Sequence, residues 1–404
     1  MTHRSARTPS RRKLLQAALG GAFIAGMPAV WRRPARAAAD AGPILVVVEL
    51  SGANDGLNTV VPYTDDAYYR ARPTLAVKPE KLRKIDDRFG FPFPMAGFDR
   101  LYREGRLAIV HGAGYAQPSF SHFTSMAYWH TGAPNSGEAY GWLGRLADHM
   151  DPAGSADYLV NIAAQQSLAV HAAAHVPLVF DDPNRFVRNA DFAEAETLGR
   201  IAVPPAAHNP AEAFLRDVAQ SAQNAEARLR EAWSAYRTPV DYGLVRFGLE
   251  RVAALIAAGF PTRIYYVAFA NNVFDTHVYQ ADVHARLLTY TSDHIAAFIS
   301  DLDRLGRGDD VAVMVFSEFG RRVAENTSRG TDHGTAGPAF VVGKKVKGGH
   351  YGAMPSLTDL DDGNLRFTTD FRRLYASMIT EWMRQADAKP VLKGDFAPLG
   401  LIAT

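Results

Sequence analysis

Six short apolar runs limit the fold of this chain more than any other feature. They are Ile44–Leu50 (ILVVVEL), Leu107–Val110 (LAIV), Tyr158–Ile162, Ile264–Phe269 (IYYVAF), Val311–Phe316 (VAVMVF) and Ala339–Val342. Each is apolar at most successive positions, Glu49 and Asn161 being the exceptions, the pattern of a strand covered on both faces in a parallel sheet. Long helical patterns lie between them, Ala211–Tyr236, Val245–Gly259 (closed by Gly259 and Pro261) and His284–Leu305, and Leu374–Gln385 makes a late helix. Strands alternating with long crossovers predict an α/β fold with a doubly wound, mostly parallel sheet. Residues 133–260 carry few strand signals and are expected to form a helical insertion on that sheet.

The first 37 residues read differently. They hold eight Lys and Arg and no acidic residue, leaving 36 basic against 42 acidic residues in the remainder, a net of −6. Ser10-Arg11-Arg12-Lys13-Leu14-Leu15-Gln16 is a twin-arginine string leading into an apolar stretch from Leu14 to Val30. Gly20, Gly21, Gly26 and Pro28 interrupt that stretch, which falls short of the ~20 strongly apolar residues of a membrane span. Ala35-Arg36-Ala37 has the small residues that a signal peptidase reads. The expectation is a twin-arginine signal peptide over 1–37, an amino-terminal membrane anchor being the alternative, and a single domain over 38–404. The protein would be periplasmic or extracellular, with the twin-arginine translocase its partner in export and no stable span in the mature chain. An acidic body argues against nucleic acid as a partner. The 404 residues include no cysteine, which removes disulfides, thiolate metal sites and cysteine nucleophiles.

In parallel sheets, ligands bind beyond the carboxyl ends of the strands. Asn54-Asp55-Gly56 follows the first run, Asp275-Thr276-His277 the fourth and Ser317-Glu318-Phe319-Gly320-Arg321 the fifth, while Asp332-His333 precedes the sixth. Oxygen and imidazole donors without thiolates suit Zn²⁺, Mn²⁺, Mg²⁺ or Ca²⁺. Asp275 and His277, two apart, face one side of an extended segment. Structural readings stand beside these. Asp55 could shape a turn, Asp275 and His277 could be a hydrogen-bonded pair, and Glu318 could bridge to Arg321 or Arg322. Ser119 or Ser121 could act as nucleophile beside His122, or cap the helix expected over Phe123–Thr131. The chain has no G-x-S-x-G elbow, Walker loop, H-E-x-x-H or post-strand G-x-G-x-x-G.

The blocks SRRKLLQ, LVVVELSGANDGLNTVVPY, SHFTSMAYWHTG, GWLGRL, FDTHVYQ, VFSEFGRRVAENTSRGTDHGTAGPAFVVGKKVKGG and FAPLGLI run in order along the chain. Together they resemble the bacterial family named domain of unknown function 1501, itself similar to the alkaline phosphatase and sulfatase superfamily. The resemblance implies an alkaline-phosphatase-like fold and a metal-dependent hydrolase or transferase of phosphate or sulfate esters. It implies Asp55 (with Glu49 in reserve), Asp275, His277 and His333 as metal ligands, and Ser121, or as second choice Ser119, as nucleophile. The superfamily's Ser-Asp-His-Gly has become Ser317-Glu318-Phe319-Gly320, so one histidine ligand is missing, and Glu318 and Asp332 become further candidates. The formylglycine frame of sulfatases is absent from Pro118-Ser119-Phe120-Ser121.

The resulting expectation is an exported hydrolase of an anionic phosphate or sulfate ester, using one or two divalent ions. Ser121 attacks, His122 orients or shuttles a proton, and Arg321 binds the anion. The alternative is a non-catalytic envelope assembly or binding protein that kept the fold.

Overall fold

The computed structural model describes residues 42–184, 227–245, 247–269 and 271–403. The twin-arginine leader, most of the helix expected over Ala211–Tyr236 and the signal cleavage point lie outside them; residues 227–235 are helical. Residues Pro43–Thr404 make one compact unit.

The strands are β1 (Ile44–Leu50), β2 (Leu82–Lys84), β3 (Gly90–Pro92), β4 (Leu107–Gly114), β5 (Leu159–Ile162), β6 (Leu178–Phe180), β7 (Ile264–Phe269), β8 (Val311–Phe316), β9 (Gly337–Val342), β10 (Gly349–Tyr351), β11 (Leu360–Asp361), β12 (Asn364–Leu365) and β13 (Thr369–Asp370). The main sheet runs β10-β4-β9-β8-β1-β7-β5-β6, with β13 on β4. Its pairs are parallel except those of β9, which runs antiparallel to both β8 and β4. The expected mostly parallel α/β sheet is therefore what forms, and β9 departs from the parallel strand read at Ala339–Val342. The segment read as a helical insertion also supplies β5 and β6, which complete one edge of the sheet.

The described helices are α1 (Asp66–Ala71), α2 (Ala96–Arg103), α3 (His122–Thr131), α4 (Trp142–Met150), α5 (Leu249–Ala257), α6 (Gln280–Arg304), α7 (Phe371–Ser377) and α8 (Lys389–Leu392). They cover both faces of the sheet. Alternate residues of β1 divide between two cores because strand side chains alternate in direction. Ile44, Val46, Val48 and Leu50 pack with α2, α5 and α6, whereas Leu45 and Val47 pack with α3, α4, α7 and α8. In the second core the Trp129 indole is stacked against both Phe316 (5.1 Å between centroids) and Phe371 (4.2 Å). This wedge joins the start of α7 and the last turn of α3 to the end of β8. No helix among the described residues is long and apolar enough to cross a membrane.

Truncating Trp129 leaves a cavity where α3, α7 and β8 meet. Trp129→Ala is expected to lower unfolding stability by about 3–5 kcal/mol, measured by chemical denaturation. A loss within experimental error would mean that the wedge does not fasten these elements.

Candidate metal centre

The loops that carry chemistry meet at one edge of the sheet because of the direction of β9. Strands β1, β7 and β8 end there, so their following loops emerge together. As β9 is antiparallel to β8, it begins at the same edge, and the loop before it brings His333 to the others. Helix α3 begins there too, after the β4 loop. Glycine permits the close approach: Gly52 has φ +112°, and a Cβ at this position would lie 2.6 Å from the Asp275 amide nitrogen. No other residue takes that backbone conformation comfortably.

Four side chains converge. Asp275 Oδ1 lies 2.9 Å from His277 Nε2 and 3.2 Å from His333 Nε2, and the two imidazole nitrogens are 2.9 Å apart. His122 Nε2 faces the other carboxylate oxygen, Oδ2, at 3.4 Å. Donor atoms of His122, Asp275 and His333 all lie within 4.8 Å of one another.

Each imidazole is fixed by its far nitrogen. His122 Nδ1 donates to Glu318 Oε1 (2.7 Å), and His333 Nδ1 to the Phe120 carbonyl (2.8 Å). His277 Nδ1 faces Asp332 Oδ1 at 3.4 Å, and the Asn326 amide holds that same oxygen at 3.0 Å. Carbonyls and carboxylates only accept, so the shorter contacts place the proton on Nδ1 in neutral His122 and His333, whereas in His277 the shorter carboxylate contact is at Nε2. Two imidazole nitrogens thus crowd around one carboxylate oxygen, Asp275 Oδ1. Donors that share a divalent ion at about 2.0–2.2 Å sit about 3 Å apart, the spacing seen here. An outer ring of carboxylates and carbonyls on the far nitrogens is also how metal-ligating imidazoles are oriented. The residues present fit a divalent cation.

Charge follows the same pattern. Burial pushes the Asp275 carboxyl up, but the Arg321 guanidinium and neighbouring imidazoles bring it below its ordinary range. The hydrogen bond to Glu318 raises His122, whereas burial lowers His333. The Asn326 amide heads the causes that hold Asp332 low.

A family model described as "Protein of unknown function (DUF1501)" matches residues 107–393 and so spans α3, β7, β8 and the whole cluster. The chain belongs to this family. No curated protein matches the DUF1501 chain in sequence. Solved structures similar to it include a protein in the alkaline phosphatase superfamily from Vibrio parahaemolyticus, at 11% identity over 76% of this chain and 62% of that chain, TM-score 0.35. Another is the phosphonate monoester hydrolase from Silicibacter pomeroyi, at 10% identity over 89% and 76%, TM-score 0.37. A third is the C-terminal periplasmic domain of EptC from Escherichia coli in complex with zinc, at 10% identity over 75% and 74%, TM-score 0.36.

Within the DUF1501 chain, Asp275, His277 and His333 come together as their spacing suggested, and His122 joins them. The other expected site residues stand elsewhere. Asp55 is fully buried in an ion pair with Arg72 Nη1 (2.6 Å) and also accepts from the Gln280 amide, which corrects its reading as a ligand. Glu49 is committed to His130 Nε2 (2.8 Å) and the Tyr266 hydroxyl. Glu318 is fully buried and accepts from the Gly52 and Ala53 amides and the Ser317 hydroxyl, so it holds His122 in place instead of facing the cluster. Asp332 does the same for His277.

Arg321 requires a correction as the anion-binding residue. It is 1% exposed, and its guanidinium donates to the carbonyls of Gly52, Ala53, Phe274 and Thr331 and to Asp275. Nothing remains of it to grip an anion. Ser121 Oγ accepts from the Thr124 amide (3.5 Å) as the N-cap of α3, the structural reading of that residue. Phe319 packs its ring against His122 and His333, each 5.0 Å away. The Phe120 carbonyl and Glu318 as imidazole anchors leave no local signal in the sequence, because both act through distant partners.

Burial pushes the Asp55 carboxyl up, yet Arg72 and His284 outweigh it and hold it below the free value. Its contribution to stability is therefore complete above the unfolded-chain pKa of about 3.9 and is lost as pH falls through the lower folded value. Asp55→Asn is expected to flatten the acid side of the stability profile. Arg72→Met, which strands the buried carboxylate, should cost about 3–5 kcal/mol at neutral pH. Denaturation from pH 3 to 7 checks both. An unchanged acid slope in Asp55→Asn would refute the role assigned to the pair.

Proposed function

We propose that this protein is a divalent-metal-dependent hydrolase of phosphate or sulfate esters that works outside the cytoplasm. The observation that carries the reading is the convergence of His277 Nε2, His333 Nε2 and Asp275 Oδ1 within 2.9–3.2 Å, with each ring's far nitrogen already turned to an acceptor. In that reading Asp275, His277 and His333 hold the ion. When bound, such an ion neutralises negative charge on an anionic ester and on its leaving oxygen. Arg321 fixes Asp275 from beneath and keeps three loops in register. Glu318 and the Phe120 carbonyl keep two rings from rotating. The leader supports export through the twin-arginine route, in which proteins cross already folded, and the acidic body supports a substrate other than nucleic acid.

A second reading, a non-catalytic envelope protein that kept the metal for stability, draws on one observation. The two groups expected to attack and to grip the anion, Ser121 and Arg321, serve as a helix cap and a loop brace.

Elemental analysis of the exported protein, purified without chelator, is expected to find about one tightly held divalent ion per chain. His277→Ala and His333→Ala should lose it. A broad panel of phosphate and sulfate esters should include substrates whose turnover stops with chelator and returns with added metal. Protein that holds no metal, and whose thermal stability is unchanged by added Zn²⁺, Mn²⁺, Mg²⁺ or Ca²⁺, would contradict the proposal. Metal without turnover on any ester would favour the second reading.

A further inference from the structure

We infer that His122 is the nucleophile of this site and carries the transferred phosphoryl or sulfuryl group on Nε2; the inference rests on the hydrolase reading above. The ring stands beside the triangle of Asp275, His277 and His333, its donor atom within 4.8 Å of those of Asp275 and His333. Asp275 Oδ1, His277 Nε2 and His333 Nε2 form a closed triangle with edges of 2.9, 2.9 and 3.2 Å. His122 Nε2 instead addresses Asp275 Oδ2 at 3.4 Å. That nitrogen is buried and has no hydrogen-bond partner.

The rest of the ring is fixed. Nδ1 donates to Glu318 Oε1 at 2.7 Å, and Glu318 is itself held by the Gly52 amide (2.9 Å), the Ala53 amide (3.1 Å) and the Ser317 hydroxyl (3.0 Å). Phe319 is stacked on the ring at 5.0 Å and 28°. In its neutral form a ring so pinned presents one lone pair in one direction, the requirement for a pre-oriented nucleophile. Nearby hydroxyls have other work. Ser125 Oγ donates to the Glu318 carbonyl at 2.6 Å, Ser119 Oγ accepts from the Ser121 amide, and Ser121 caps α3.

The chemistry balances with water alone. The Nε2 lone pair forms an N–P bond as the P–O bond to the leaving alcohol breaks. The departing oxygen takes that electron pair and a proton from solvent. Positive charge on the ring is balanced across the Nδ1–H···Glu318 bond. In the second step a water oxygen attacks phosphorus, the N–P bond breaks and its electron pair returns to Nε2. Inorganic phosphate leaves, and the water's surplus proton passes to solvent. A sulfate ester follows the same course through an N–S bond.

The test uses the exported, metal-loaded protein with two probes, 4-nitrophenyl phosphate and phosphoramidate, the latter a reagent that phosphorylates nucleophilic imidazoles without a specific substrate. Rapid quenching should trap one phosphoryl group per chain that survives alkali, is lost in acid and maps to His122. His122→Gln should keep its metal, lose the label and lower kcat about a thousandfold or more. Loss of the metal in His122→Gln would make His122 a fourth ligand and overturn the inference. An acid-stable label lost in Ser121→Ala would overturn it in favour of the serine. Turnover of 4-nitrophenyl phosphate without any label on His122 would overturn it while leaving the hydrolase reading intact. No label from phosphoramidate on a metal-loaded protein would overturn it whatever the panel of esters shows.

Discussion

The guanidinium of Arg321 is the interaction on which the rest of the site depends. It reaches the carbonyls of Gly52 and Ala53 after β1, of Phe274 after β7 and of Thr331 before β9, and it closes on Asp275 Oδ1. Three loops from different parts of the chain are thereby fixed to one planar group. A cation in such a place would be costly if any of its donors went unmet. Here four carbonyls and one carboxylate meet them, and the fork geometry of arginine allows it where lysine would not. The same contact lowers the Asp275 carboxyl and sets the oxygen around which two imidazoles gather. What reads as a substrate-binding arginine is the brace that makes the site possible.

Much of the framework is legible from residues close together in sequence. Strands β1, β7 and β8 begin and end where their apolar runs do, because a strand buried on both faces is apolar at nearly every position, and Glu49 of β1 is met by His130 and Tyr266. The pairing of Asp275 with His277, and the weight given to His333, follow from short spacings beside strand ends. Directions and long-range partners are not written that way. The run Ala339–Val342 has the composition of its parallel neighbours, and only its place between β8 and β4 makes it antiparallel. That reversal is what delivers His333 to the correct edge.

Asp55 and Arg321 depart from expectation for one reason. Both stand after a strand, where ligands commonly bind. Each meets a partner of opposite charge instead, buried Arg72 for Asp55 and half-buried Asp275 for Arg321. Arg72 lies 17 residues beyond Asp55, and nothing in the intervening pattern marks it as the partner. Glu318 is the counterpart: a carboxylate in a ligand's sequence position, in the loop after β8, that anchors a histidine from α3. Phe319 packs beside both imidazoles, 5.0 Å from each, where they meet edge to face at 4.4 Å.

The most direct measurement is X-ray absorption spectroscopy on the zinc-loaded, full-length exported protein. The account predicts an inner shell of two imidazole nitrogens with carboxylate oxygen, losing one imidazole in His277→Ala and in His333→Ala and keeping both in His122→Gln. An inner shell without imidazole, or one indifferent to replacement of His277 and His333, would contradict it.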